Sequence, residues 1–409
     1  MHVFLSDIHM TDSDTGGVVS DAHLTSFVDR IVPLADHAER EKVTLVLVGD
    51  IFDLLRSPKW ATLWKEKSSA PWSGMSPKFR LFKKSFAETQ AREILTNTCK
   101  RYPQFSAKVR ELVKANRLET VYVPGNHDFM VQLSSDLRQL VVDFLGLTHD
   151  PKKTFKTTYE NKAASVFALH GNTFDVANWH REPEGYWAIG DAIVLLVVNR
   201  FPEEACRLIG CAPDTEIGQL LQEVDNVQPL VDIPIWVRWL TENNLTIKAS
   251  RDKVIKAWKQ VVDEFLNVED FKDKIGYGGK DFQLIRRAFE LSTRFGLARL
   301  VGELSKYFPN TETDYRLAAE AEAKKFPQYR FVLFGHTHKP MLQPLTFAPG
   351  GRTYFYVNTG CWRRLVMRTA GRGPVSFESR RVSSYFVIDE HSDDEQQERY
   401  HLFQEWHTS

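Results

Sequence analysis

Short apolar runs recur along the chain and stop abruptly at Asp, Gly or His, at residues 3–5, 44–48, 120–123, 166–169 and 331–334. They are rich in Val, Leu and Phe, apolar at successive rather than alternate positions, and separated by segments of helical spacing. This pattern predicts central strands of a sheet covered by helices on both sides, so the fold class is α/β or mixed α+β. Runs at 353–357 and 384–388 predict two further strands, the first entered from a Gly350-Gly351 turn.

Between residues 172 and 325 the periodicity changes. Apolar positions fall at helical spacing over 188–209, 254–265 and 282–304, with few strand-like runs between them. The chain therefore reads as a discontinuous core, residues 1–171 plus 326–390, carrying a mainly helical insertion at 172–325. That insertion is either a second domain packed on the core or a cap that shapes a pocket. Residues 391–409 read as a polar tail or terminal helix. Residues 57–86 depart in another way, with seven basic residues against Glu66 alone, interleaved with Trp60, Trp64, Trp72, Phe79, Phe82 and Phe86. Pro58, Pro71, Gly74 and Pro77 predict loop and short helix there.

Charge adds a qualification. The 409 residues hold 53 Lys plus Arg against 53 Asp plus Glu. A neutral total argues against binding duplex nucleic acid or anionic membrane through bulk charge. Neutrality is an average, because the insertion holds 25 acids and 20 bases while residues 57–86 lean basic. The four cysteines lack CxxC spacing, which predicts a reducing compartment and no disulfide. The N-terminus lacks a signal-peptide pattern, and the longest apolar run, 192–198, is far short of the roughly 20 residues of a membrane span, so a cytoplasmic protein is expected.

The chemistry stands where the apolar runs end. Those ends read Asp7-Ile8-His9, Gly49-Asp50-Ile51-Phe52-Asp53, Gly125-Asn126-His127-Asp128, His170-Gly171 and Gly335-His336-Thr337-His338. In an α/β sheet the carboxyl ends of strands are where ligands bind, so five pieces of chain are expected to converge. Asp, Asn and His without Cys form an oxygen and nitrogen donor set suited to divalent ions such as Mn, Fe or Zn. Seven donors, Asp7, His9, Asp50, Asn126, His170, His336 and His338, exceed the needs of one ion with an open position and suit two ions sharing a carboxylate. In an extended Asp7-x-His9 segment both side chains would point the same way, and the same holds for His336-x-His338 unless a strand-to-loop turn there sends the two imidazoles toward neighbouring ions.

These pieces, in this order, resemble the motifs of the calcineurin-like metallophosphoesterase superfamily: D-x-H, G-D-x-x-D, G-N-H-[DE], H and G-H-x-H. The motif style is similar to the branch containing UDP-2,3-diacylglucosamine pyrophosphatase, although His127 stands where those enzymes have Arg and their cap is smaller. The resemblance covers residues 1 to about 171 and about 326 to 390 and leaves the insertion unexplained. It implies a sandwich of two mixed sheets flanked by helices. It also implies two divalent ions, Mn2+ first and Fe, Zn, Mg or Ni as alternatives. One ion would take Asp7, His9, Asp50 and His338, and the other Asp50, Asn126, His170 and His336, with Asp50 bridging. His127 would face the substrate, with Asp128 holding its ring, and Asp53 would support the ligands or cap a helix. The implied activity is hydrolysis of a phosphoester or pyrophosphate bond by a metal-bridging hydroxide.

Substrate class is open at this level: a phosphorylated small molecule, nucleotide or lipid, or single-stranded nucleic acid. Arg363 and Arg364, which follow Asn358-Thr359-Gly360, are candidate phosphate contacts, as are Lys59, Trp60 and Arg80 in the basic and aromatic segment. The alternatives are a nuclease or nucleotide phosphodiesterase using the same chemistry, and a non-catalytic scaffold of the same fold. Scaffolds typically lack some of the donors, and this chain has all seven.

Overall fold

The computed structural model describes residues 1–13, 18–37, 41–61, 84–175, 177–180, 187–228, 232–245, 248–266, 280–294, 312–369, 374–389 and 399–407. In chain order the strands are β1 (His2–Leu5), β2 (Val43–Val48), β3 (Leu118–Val123), β4 (Thr158–Asn161), β5 (Val166–Leu169), β6 (Val227–Gln228), β7 (Phe331–Phe334), β8 (Met341–Pro344), β9 (Phe355–Asn358), β10 (Arg364–Arg368), β11 (Phe377–Asp389) and β12 (Arg399–His407). They form two mixed sheets, one in the order β3-β2-β1-β11-β10-β6 with β12 against β11, the other β4-β5-β7-β9-β8. β1, β2 and β3 run parallel in the larger sheet, and β5, β7 and β9 run parallel in the smaller.

Side chains alternate between the faces of a strand, and here both faces are buried. Phe4, Val46, Val48 and Phe386 of the larger sheet meet Val166, Ala168, Phe331 and Leu333 of the smaller in one apolar layer. Their sequence neighbours Val3, Leu5, Leu45 and Leu47 face the other way, into a cluster with Phe27, Ile94, Phe105 and Val141. Those four lie on α1 (Asp21–His37), α2 (Lys84–Arg101), α3 (Pro103–Lys114) and α4 (Ser135–Leu145). This double burial explains why the strands read as unbroken apolar runs.

The insertion is more closely knit to the core than its helical periodicity suggests. Its helices include α5 (Phe201–Ile209), α6 (Ile233–Trp239), α7 (Lys248–Leu266), α8 (Lys280–Arg294) and α9 (Glu312–Lys325). Phe201, Trp236 and Trp258 belong to the same apolar cluster as β1 and β2. β6 adds a parallel strand beside β10, at the edge of the larger sheet. α9 buries Tyr315, Ala319 and Ala323 against Phe167, Val332 and Tyr356 on the outer face of the smaller sheet. The described residues of 172–325 therefore pack on both sheets, and the layers run helices, sheet, sheet, helix. The segment 188–209 is broken, because a π-helical turn at Val194–Val198 separates Ile189–Ile193 from α5.

The expectation of a polar tail or helix at 391–409 is corrected for its second half. Arg399–His407 pairs antiparallel with Arg381–Asp389. Tyr400 and Leu402, at alternate positions, pack on the inter-sheet layer, so a period of two was present beneath the polar composition. No helix among the described residues is long and apolar enough to cross a membrane. The run at 192–198 is buried.

Candidate metal centre

The seven predicted donors all follow strand ends, from β1, β2 and β3 in the larger sheet and from β5 and β7 in the smaller. Stacking the sheets brings these ends together. The loops after β1 and β2 are stitched by backbone bonds, Asp7 N to Gly49 O at 3.0 Å and His9 N to Asp50 O at 2.9 Å. Asp7 Oδ2 accepts from His336 N at 2.9 Å, which ties in the loop after β7 from the other sheet.

The backbone here is not the extended segment expected for Asp7-x-His9. Asp7 and His9 have φ of 52° and 54°, Asp50 has 52°, and His336 and His338 have 67° and 61°. Left-handed conformations cost a non-glycine residue on the order of 1–3 kcal/mol each and persist only where the surroundings impose them. Five of the seven non-glycine positive-φ residues among those described are predicted donors. The chain curls so that both side chains of each pair reach inward from a tight turn. Glycine is needed beside them, since a Cβ on Gly125 would overlap Asp50 Oδ1 and one on Gly49 would overlap the His170 ring.

Two pockets result. In the first, His9 Nδ1 donates to Asp53 Oδ2 at 2.9 Å, which leaves a lone pair on Nε2. That atom lies 3.1 Å from His338 Nε2, 3.8 Å from Asp7 Oδ1 and 3.9 Å from Asp50 Oδ2. His338 Nε2 is 3.1 Å from Asp7 Oδ1, a buried oxygen that has no hydrogen-bond partner of its own. Burial pushes the His9 ring down to about 4, against the pull of Asp53, so it stays neutral and ready to ligate.

In the second pocket His170 Nδ1 donates to Val48 O at 2.9 Å, and Nε2 faces Asp50 Oδ2 at 3.2 Å and Asn126 Oδ1 at 3.1 Å. Burial alone would lower the His170 pKa, but the Asp50 and Asp7 carboxylates outweigh it and raise it to about 10. Two carboxylates buried in one place need positive charge, supplied either by protons on the histidines or by cations. His336 closes this pocket beside Asp50 and His170, whereas His338 lies with Asp7 and His9, so of the two alternatives the imidazoles diverge. Its Nε2 is 3.0 Å from Asp175 Oδ2. These groups could hold metal ions: Asp7, His9 and His338 lie together, as do Asp50, His170 and His336, and Asp50 also lies with His9 and His127.

His127 lies beside the pockets, its ring 4.8 Å from that of His9 and edge-on to it. The expectation that Asp128 orients it is corrected. His127 Nδ1 donates to Asp53 Oδ1 at 2.9 Å. Asp128 turns the other way and accepts from the backbone N–H of Gly125 at 2.6 Å and of Ile51 at 2.9 Å. Asp128 thus shapes two loops, and Asp53 serves both His9 and His127 while also accepting from Arg56 N at 3.0 Å. Burial opposes the charge of both partners, yet their attraction prevails, so His127 is raised and Asp53 lies well below the usual carboxylate range.

The predicted substrate contacts fare differently. Trp60 is buried in the core and its indole donates to Leu54 O at 2.9 Å, so it offers no face to a base or lipid. Lys59 pairs with Glu93. Arg363 is not a surface charge: it is 2% exposed and binds Asp225 Oδ2 at 2.9 Å and Asn226 Oδ1 at 2.7 Å. Arg364 pairs with Glu223 at 3.1 Å and bonds Ser379. Arg80, with Trp64, Trp72, Phe79 and Phe82, lies outside the described residues.

Asp175 and Asp225 were missed from the sequence. Neither sits at a strand end or in a spacing that marks a ligand, and only the fold sets them against His336 and Arg363. No protein-family model matches this chain, and no curated protein matches it.

Proposed function

We propose that this chain is a metal-dependent phosphohydrolase that cleaves a phosphoester or pyrophosphate bond, with the four-layer sandwich of the calcineurin-like metallophosphoesterases. One observation carries the reading. Asp50 Oδ2 faces His170 Nε2 at 3.2 Å and His9 Nε2 at 3.9 Å, so a single carboxylate borders two pockets of oxygen and nitrogen donors.

The donors fit two divalent ions, Mn2+ first among them. Asp7, His9, Asp50 and His338 would hold one, and Asp50, Asn126, His170 and His336 the other. Such a pair, when bound, supplies Lewis acidity to phosphoryl oxygens and lowers the pKa of an attacking water.

The protein's own part follows from its hydrogen bonds. Asp53 takes the Nδ1 hydrogen of His127, which directs Nε2 away from Asp53 and toward a substrate held at the pockets. Asp53 and Asp50 favour the protonated ring against the opposing effect of burial, so His127 can donate to a phosphoryl oxygen or to the leaving oxygen. Asn358 Nδ2 donates to Gly335 O at 2.6 Å and fixes the loop that carries His336 and His338.

Purified protein supplied with Mn2+ is expected to hydrolyse an aryl phosphate monoester or diester. His127→Ala is expected to remove that activity. Full activity in His127→Ala, or in wild-type protein dialysed against chelator, would sink the reading.

A further inference from the structure

Two of the predicted histidine donors have one ring nitrogen tied to a fixed acceptor. His9 Nδ1 is held by Asp53 and His170 Nδ1 by Val48 O, and in both rings Nε2 is the nitrogen that faces the pocket. His336 is arranged the other way round. Its Nε2 is the tied nitrogen, 3.0 Å from Asp175 Oδ2. A carboxylate only accepts, so this nitrogen carries the hydrogen, and the lone pair of the neutral ring is on Nδ1.

Asp175 is itself fixed. Its Oδ1 accepts from Ala177 N at 2.8 Å, and its Oδ2 also accepts from Asn178 Nδ2 at 2.7 Å. The segment carrying it leaves the His170-Gly171 strand end through a short helical turn at Asn172–Phe174. The residue therefore comes from the first stretch of the insertion and meets the loop after β7 from the other side of the site.

We propose that Asp175 is a positioning residue for the second metal pocket: it holds His336 with Nε2–H outward, so that Nδ1 is the ligating atom beside Asp50, Asn126 and His170. The inference rests on the two-ion reading above. It gives the insertion a role in the site that neither a cap nor a separately packed domain would have. Outer carboxylates of this kind fix the tautomer and ring orientation of a ligand, and their loss typically weakens metal affinity 10–100-fold.

The test measures Mn2+ binding by calorimetry on chelator-stripped wild type, Asp175→Ala, Asp175→Asn and Asn178→Ala. Wild type is expected to take up two ions. Asp175→Ala should bind the weaker ion about 10–100-fold less tightly with the other unchanged. Asp175→Asn keeps an acceptor oxygen and should recover most of the affinity. Asn178→Ala removes one of the bonds that fix Asp175 and should weaken the same ion less than Asp175→Ala does.

The second readout is the His336 tautomer in Zn2+-loaded wild type, read from ring 15N shifts, with Nε2 protonated and Nδ1 ligated as the expected result. Wild-type affinity for both ions in Asp175→Ala, or a Zn2+-ligated Nε2, overturns the role of Asp175 while leaving the two-ion centre standing. Fewer than two ions in wild type overturns both.

Discussion

Asp53 Oδ1 receives the Nδ1 hydrogen of His127 at 2.9 Å, and the other oxygen of the same carboxylate receives that of His9 at the same distance. One side chain thus fixes the tautomer of a predicted metal donor and that of the predicted proton donor. Asp53→Ala is expected to lower kcat for aryl phosphate hydrolysis by about 10²–10⁴, since it disturbs both the acid and a ligand. Steady-state kinetics at saturating Mn2+ check this. A loss below tenfold would mean that the two rings do not depend on Asp53.

Asp50 borders both pockets, so its loss should affect both ions together. Asp50→Asn is expected to retain fewer than two Mn2+ per chain by elemental analysis. If the proposed cations relieve the repulsion of Asp7 and Asp50, chelator should lower the melting temperature of wild type more than that of Asp50→Asn. Equal shifts would argue against cations at this carboxylate.

Gly125 tests the tightness of the site without removing a donor. A Cβ there would overlap Asp50 Oδ1 and crowd the Asp50 backbone nitrogen and the His170 ring. Gly125→Ala should therefore keep its circular dichroism while losing Mn2+ affinity and activity together. Retention of both would show that the loop can relax.

Arg363 and Arg364 are neighbours in sequence with different surroundings. Arg363→Met would leave Asp225 with Arg56, 3.0 Å from its Oδ1, and take the Arg363 hydrogen bond from the buried Asn226 Oδ1, and should cost about 1–3 kcal/mol by denaturant unfolding. Arg364→Met breaks a partly exposed pair and should cost less than about 1 kcal/mol. Similar losses for the two would contradict the burial that separates them.

Asp232 is 6% exposed and 3.5 Å from Arg368, and burial outweighs that partner to raise its carboxyl to about 6. A raised carboxylate pKa means that the folded state binds the proton more tightly than the unfolded chain. The contribution is then complete below the ordinary value near 3.8 and is lost as pH rises through about 6. Asp232→Asn, which cannot ionise, should match wild type near pH 3.5 and exceed it at pH 7.5 by up to about 3 kcal/mol. Urea melts at the two pH values decide it, and a less stable variant at pH 7.5 would show that the Arg368 pair dominates.

The five central strands could be read from the chain, as could the convergence of their ends, where the seven predicted donors stand. Double burial leaves a continuous apolar signature at residues 3–5 or 331–334, and each run ends at the residue type that a ligand site needs. Local pattern reaches no further than its own segment. It put Asp128 beside its sequence neighbour His127, whereas His127 donates to Asp53, 74 positions away. It read Asp7 and His9 as extended, because the left-handed turn is imposed by bonds to the loop after β2. It took Trp60 and Arg363 as surface contacts, since composition does not say which side chains the packing will bury. Sequence determined which residue types stand at the converging strand ends. Tertiary structure decided which nitrogen of each ring faces the pocket and which distant carboxylates hold it there, because those bonds join strand ends far apart in sequence that become neighbours only when the strands pair into sheets.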